Sequence, residues 1–194
     1  MPPAARVIAE LGGVPVSTLL ARLREGDQSA LTTIYDALFE PLWRVAVLQT
    51  QSSVAAEDVV HDVFLWLWTH REAVATTVDI RVYLATATRN RARNDAKHHH
   101  VVERANTITP NESAGIGQAP SAADTSLESA EFLAAYRRAL TLLSERELTA
   151  ALLRWEEGFT FEQIAQVLSV STKSAQRIVL RARDAVYEGL RAFR

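Results

Sequence analysis

The chain of 194 residues is predicted to be all-α, two helical domains joined by a flexible linker. Three observations predict this. Apolar residues recur at three- and four-residue intervals through most of the sequence, while strand signals are weak. Thr107–Ser126, "TITPNESAGIGQAPSAADTS", is rich in Pro, Gly, Ser, Ala and Thr and lacks apolar periodicity, which marks a tether. Hydrophobic residues make up 48% of the chain, enough for packed cores. The expected divisions are an N-terminal extension over residues 1–16, a first domain over 17–104, a linker over 105–126 and a second domain over 127–194.

The extension, "MPPAARVIAELGGVPV", carries one Arg and a short, broken apolar stretch, and reads as a loose segment rather than a signal peptide. In the first domain a short helix is expected after Ser17, then helices over about Gln28–Thr50, Ser53–Thr69 and Asp79–His98. Pro41 is expected to kink the second of these. Ser53 is the expected cap of the third, with Glu57 and Asp58 near its positive end. In the second domain a helix is expected over Leu127–Leu143. "SERE" (Ser144–Glu147) reads as a capping box for a helix ending near Gly158. "TFEQ" (Thr160–Gln163) caps a short helix to Leu168; the turn "SVS" and a long helix over Thr172–Ala192 follow. A short helix, a tight turn and a longer basic helix form a helix-turn-helix candidate.

Charge narrows the function. The net charge is −2, but residues 81–104 hold six basic side chains against two acids, and residues 173–194 hold the same numbers. Two basic segments on an acidic background suggest two places touching one polyanion. There is no cysteine, so disulfides and thiolate metal sites are excluded. No apolar run is long enough to span a membrane, so no membrane insertion is expected. "HHH" (His98–His100) is a poor metal site, because consecutive residues point in different directions on a helix and no further ligand cluster is evident. Neither metal nor cofactor is expected.

"AEDVVHDVFLWLW" (Ala56–Trp68) is an unusual helix. At about 100° per residue, Val59, Val60, Val63, Phe64 and Leu67 share a core face with Trp66 at its margin. Glu57, Asp58, His61 and Asp62 share the other face with Leu65 and Trp68. Two readings are open: a solvated face with the apolar residues tucked under the next loop, or a protein-contact patch.

On the final helix, Ala175, Ile178, Ala182, Val186 and Leu190 form the expected core stripe. Lys173, Gln176, Arg177, Leu180 and Arg181 lie mostly opposite. Lys173, Ser174, Gln176 and Arg177 sit where a recognition helix reaches base edges, and Arg181 and Arg183 suit phosphates. The alternative is a basic amphipathic helix with solvated arginines. In "YLATATRNRARNDAKHHH" (Tyr83–His100), Arg89 and Arg93 are four apart, and Asn90, Asn94 and Lys97 form a neighbouring polar row. That pattern suits a helix along a nucleic-acid backbone.

Together these segments resemble bacterial RNA polymerase sigma factors of the sigma-70 superfamily, in the extracytoplasmic-function group. The resemblance covers about Gln28–Arg104 and Leu127–Ala192. It implies a promoter-specificity subunit that is not itself an enzyme. Its implied partners are core RNA polymerase, promoter DNA and an anti-sigma factor, and its implied location is cytoplasmic. "AEDVVHDVFLWLW" is similar to the helix that grips the clamp helices of the polymerase's largest subunit; this implies polymerase contacts at Asp58, His61, Asp62 and Leu65, with His61 replacing the usual Gln. "RVYLATATRNRARNDAKH" is similar to the promoter-melting and minus-ten segment, implying DNA contacts at Tyr83, Arg89, Asn90, Arg93, Asn94 and Lys97. Tyr83 stands where Trp is commoner and Ala85 where an aromatic is frequent. The preceding loop, "REAVATTVD", is located where the group captures an unstacked promoter base. Leu142–Arg183 is similar to the minus-thirty-five helix-turn-helix. There Ser169 stands where Gly is common, so a positive φ costs strain, and Ile178 stands where a basic residue is common.

Three rivals differ in kind. A plain DNA-binding regulator would not need Asp58 or Asp62. A mimic that binds polymerase or an anti-sigma factor would not need Lys173, Gln176 or Arg177. A His-dependent nuclease needs a His, Asp and Glu cluster at metal spacing, which the sequence does not offer.

Overall fold

The computed structural model describes residues 10–105 and 127–191. Eight α-helices fall into two compact units, residues 1–114 and 115–194. The all-α expectation holds, with one small addition at the N-terminus.

That addition is a two-stranded antiparallel hairpin, β1 (Glu10–Leu11) and β2 (Val14–Pro15). Its turn is Gly12–Gly13, both at positive φ (56° and 74°), which glycine adopts without a Cβ clash. Leu11 is buried. Residues 10–16 are therefore ordered onto the first domain, whereas the sequence suggested a loose segment. The remainder of the extension lies outside the described residues.

In the first unit, α1 spans Val16–Arg24 and α2 spans Gln28–Thr50. The turn between them is tied by Asp27, the cap of α2. Its carboxylate accepts from the Ser29 backbone N–H (2.8 Å), the Ser29 hydroxyl (2.7 Å) and the Arg22 guanidinium (2.9 Å). The Ser29 and Arg22 bonds hold its pKa down, from 3.8 to about 2. Helix α2 runs through Pro41 without a break, with Leu38, Leu42 and Val45 buried around it. Apolar packing on both sides of the proline offsets the one lost backbone bond.

Helix α3 spans Ser53–Thr69 and α4 spans Ile80–Ala105. The cap of α3 is Ser52, one residue earlier than expected; its hydroxyl accepts from the Ala55 N–H (3.3 Å). Glu57 and Asp58 consequently lie beyond the first turn, outside the strongest reach of the helix dipole. Asp79 starts α4, accepting from the Arg81 and Val82 N–H groups (3.2 and 3.4 Å). Helices α2, α3 and α4 pack on one another, and α1 packs on α2. Ile34, Val45, Val60, Leu67 and Leu84 form the centre of that core.

In the second unit, α5 spans Leu127–Thr141 and α6 spans Glu145–Ala151. A π-helical stretch, Leu152–Glu156, extends α6. Both predicted capping boxes are present: Ser144 with Glu147, and Thr160 with Gln163 at the start of α7 (Phe161–Leu168). The Ser144 hydroxyl and N–H hold the Glu147 carboxyl below its usual range. Helix α8 spans Thr172–Gly189 and buries Ala175, Val179, Ala182 and Val186. Val179 thus takes the central place expected of Ile178, which is only half-buried. Leu143, Ala151, Ala182 and Val186 pack with Tyr136, Leu140, Leu148 and Leu190. Helix α5 approaches α8 so closely that a Cβ on Gly189 would lie 2.5 Å from the Ala139 Cβ.

The α7–α8 turn contains the strain the sequence suggested. Ser169 adopts φ 54°, ψ 52°, the left-handed conformation usually taken by glycine after a helix. Ser169→Gly is expected to stabilise the second unit by about 1 kcal/mol, since a non-glycine residue there costs on the order of 1–2 kcal/mol. Urea unfolding of the two proteins checks this as a rise in midpoint at unchanged slope.

Candidate polymerase and nucleic-acid surfaces

Helix α3 divides as its periodicity requires. Ala56, Val59, Val60, Val63, Phe64 and Leu67 are buried, while Glu57, Asp58, His61 and Leu65 are exposed. Leu65 is 62% exposed, an apolar side chain among acids. Trp68 behaves otherwise: it is half-buried, with the Arg71 guanidinium 4.7 Å above its ring. The outward face is thus a contact patch at Leu65 and a covered ring at Trp68.

His61 is not an isolated side chain. Its Nε2 lies 3.0 Å from the Tyr35 hydroxyl, and its ring stacks near Tyr35 (centroids 6.2 Å, planes 8° apart) and beside Phe39 (5.6 Å). Tyr35 also meets Phe64 at 4.8 Å. Burial, then Glu57 and Asp36, push the Tyr35 phenol upward, so it remains a neutral donor or acceptor for His61. Tyr35 and Phe39 therefore belong to the surface. Their four-residue spacing on α2 was the sequence signal for a shared face.

Asp62 is half-buried and accepts from Arg91 Nη2 at 2.5 Å, tying α3 to α4. Both side chains retain solvent access, so the pair contributes about 0–1 kcal/mol and a stronger partner can displace it. Arg91 had been counted among the basic residues but not among the site residues.

On α4 the predicted DNA residues separate. Asn90 and Asn94 are exposed, and Arg93 and Tyr83 are half-buried. The Lys97 side chain lies outside the described residues. Arg89 contradicts its expectation. It is 1% exposed, on the stripe that buries Leu84, Ala85, Thr88 and Ala92, and its polar contacts are made inside the domain. It cannot reach a phosphate from there. Four-residue spacing to Arg93 suggested a shared outward face, but the two lie on either side of the burial boundary.

On α8 the expected face is outward. Lys173, Gln176, Arg177, Arg181 and Arg183 are exposed, and Ser174 is half-buried. The Ser174 hydroxyl is engaged by the cap residue Ser171, whose hydroxyl donates to it at 2.9 Å, while the Ser174 N–H donates back to Ser171 Oγ at 3.2 Å. Arg183 pairs with Asp184 at 2.8 Å. Among the described residues no His, Cys, Asp and Glu cluster could hold a metal, and no helix is long and apolar enough to cross a membrane.

These two helical units match known proteins in the same order. Residues 34–100 match sigma-70 region 2 and residues 139–188 match sigma-70, region 4, together well over half of the chain. The chain belongs to the sigma-70 family and is a transcription-initiation factor of the two-region, extracytoplasmic-function kind. Solved structures share the fold. The sigma factor RpoE in complex with the anti-sigma factor NepR from Bartonella quintana is 22% identical, with a TM-score of 0.64, covering 83% of this chain and 98% of that one. CnrH in complex with the cytosolic domain of CnrY is 19% identical, with a TM-score of 0.63, covering 91% of this chain and 97% of that one. No curated protein matches the sequence.

Arg89→Ala is expected to lower the stability of the first unit by about 2–4 kcal/mol, the cost of emptying a buried long side chain's site. Asn90→Ala, one residue away and exposed, is expected to change it by less than about 0.5 kcal/mol. Thermal unfolding of the two variants separates these outcomes.

Proposed function

We propose that the protein binds core RNA polymerase through the outward face of α3, places α4 on the minus-ten element and α8 on the minus-thirty-five element, and so directs promoter opening. The observation that carries this reading is the division of α3. Six buried side chains hold the helix in the first unit, while Asp58, His61 and Leu65 stand outward on a sigma-70 region 2 scaffold. An acid pair around an exposed leucine suits a partner that offers basic side chains at the rim of an apolar groove.

The two DNA surfaces follow the same logic. The outward face of α8 presents Gln176 and Arg177 near its N-terminus, where a recognition helix meets base edges. Arg181 and Arg183 follow a turn later, suited to phosphates; each such contact adds roughly 0.9 to the logarithmic salt slope. Exposed Asn90 and Asn94 support base contacts from α4. Ser174 acts chiefly as part of the α8 cap. Catalysis would belong to the polymerase. The solved sigma factors of this fold are bound to NepR and to CnrY, and an anti-sigma partner covering the polymerase-facing surface is part of this proposal.

The test adds purified protein to sigma-free core polymerase with a library of upstream DNA fragments and sequences the run-off transcripts. Specific transcripts are expected, lost by at least about tenfold in an Asp58→Ala, Asp62→Ala double variant, because two charge-assisted contacts are removed. Gln176→Ala and Arg177→Ala are expected to relax the upstream motif, each costing about 1–3 kcal/mol of discrimination. Selective DNA retention by the protein alone, with no transcripts, would support a plain regulator instead.

A further inference from the structure

Three rings meet on the surface of the first unit, drawn from two helices. Trp66 on α3 is 43% exposed although it borders the core face. Its ring stacks on His70 with centroids 4.4 Å apart and planes 13° from parallel. Tyr83, at the start of α4, approaches Trp66 at 6.1 Å. The row is held rigidly. His70 Nδ1 lies 3.0 Å from the Trp66 carbonyl oxygen and 3.2 Å from the Thr69 hydroxyl. Tyr83 is anchored by partial burial, which pushes its phenol upward and keeps the ring neutral.

Such a row has no packing role that needs its exposed area. From the Proposed function, on which this inference rests, the first unit meets DNA; helical geometry says where. Tyr83, Asn90 and Asn94 are spaced by seven and four residues, so they lie within about 20° of one another on α4. Asn90 and Asn94 are exposed along that stripe. The stripe from Tyr83 to Asn94 is about 16 Å long at 1.5 Å per residue, room for four or five stacked nucleotides at about 3.4 Å each. It begins at the rings and continues as amide side chains. Charge agrees. The carboxylate one turn before Trp66 is Asp62, and Arg91 neutralises it.

We propose that Trp66 and His70, with Tyr83, form a stacking platform for an unpaired nucleobase of the opened strand, at the head of the Asn90–Asn94 stripe. Every base has a π-face, so the platform captures by stacking and leaves reading of edges to the asparagines. Trp66 and His70 supply from α3 aromatic area that Ala85, buried on α4, does not. Their fixed positions reduce the ordering cost of binding.

The experiment uses holoenzyme assembled from the full chain and core polymerase. Its probe is a forked duplex bearing a single-stranded extension of the promoter recovered by run-off selection. An abasic site is moved one position at a time along the extension. Wild type is expected to lose roughly 5- to 100-fold in affinity when the stacked base is removed. Trp66→Ala is expected to lose a similar factor on intact DNA and nothing further at that abasic position, while Trp66→Phe retains part of the affinity. Trp66 is half exposed, and circular dichroism confirms that the variants fold. Wild-type affinity of Trp66→Ala on every probe would overturn the proposal. So would a loss of holoenzyme assembly with unchanged DNA affinity, which would make the rings a protein contact. Failure of the wild-type chain to form holoenzyme or yield transcripts would instead remove the functional reading beneath it.

Discussion

The packing of α3 against α2 and α4 is the constraint on which the first unit depends. Val59, Val60, Val63, Phe64 and Leu67 are spaced to fill one side of a single helix, and burying them is favourable by roughly 1.5–3 kcal/mol for each large side chain. Once that side is fixed, helical geometry leaves no freedom for the other. Asp58, His61 and Leu65 must face outward, and Asp62 must meet the adjacent helix at Arg91. The same packing turns Trp66 toward Tyr83. A surface for a protein and a surface for nucleic acid are thereby set by one apolar stripe.

The second unit solves its problem with caps. Helices α6 and α7 are seven and eight residues long, too short to be stable alone. Two capping boxes satisfy their N-terminal donors, each worth on the order of 1 kcal/mol. Ser169 bends the chain sharply enough for α8 to pack on α7 through Ala175 and Val179. That leaves Lys173, Gln176, Arg177, Arg181 and Arg183 in solvent. The strain at Ser169 shows that the turn geometry is imposed by the packing of both helices rather than by local preference.

Much of this was legible in the sequence, for identifiable reasons. The α3 split, both capping boxes and the outward face of α8 follow from periodicity and short-range chemistry, which sequence displays directly. The positive φ at Ser169 was legible from its place between two helices. What was missed depends on tertiary contact. Arginine normally marks a surface, so the burial of Arg89 could not be read from a basic segment. Asp62 and Arg91 are 29 residues apart, and only the α3–α4 packing brings them together. Val179 displaced Ile178 because an α-helix's stripe drifts over five turns, and a fixed list of spacings does not follow it. The Gly12–Gly13 turn was visible, but two-residue strands are too short to show alternation.

The central claim is that DNA recognition by this chain operates in company with polymerase. The most direct test is retention of the selected promoter fragment by the chain alone, by core polymerase alone, and by the two together, each against a scrambled fragment of equal length. The account predicts sequence-selective retention only by the combination, lost when Asp58 and Asp62 are both replaced by alanine. Equal selectivity by the chain alone, unaffected by that double replacement, would contradict it.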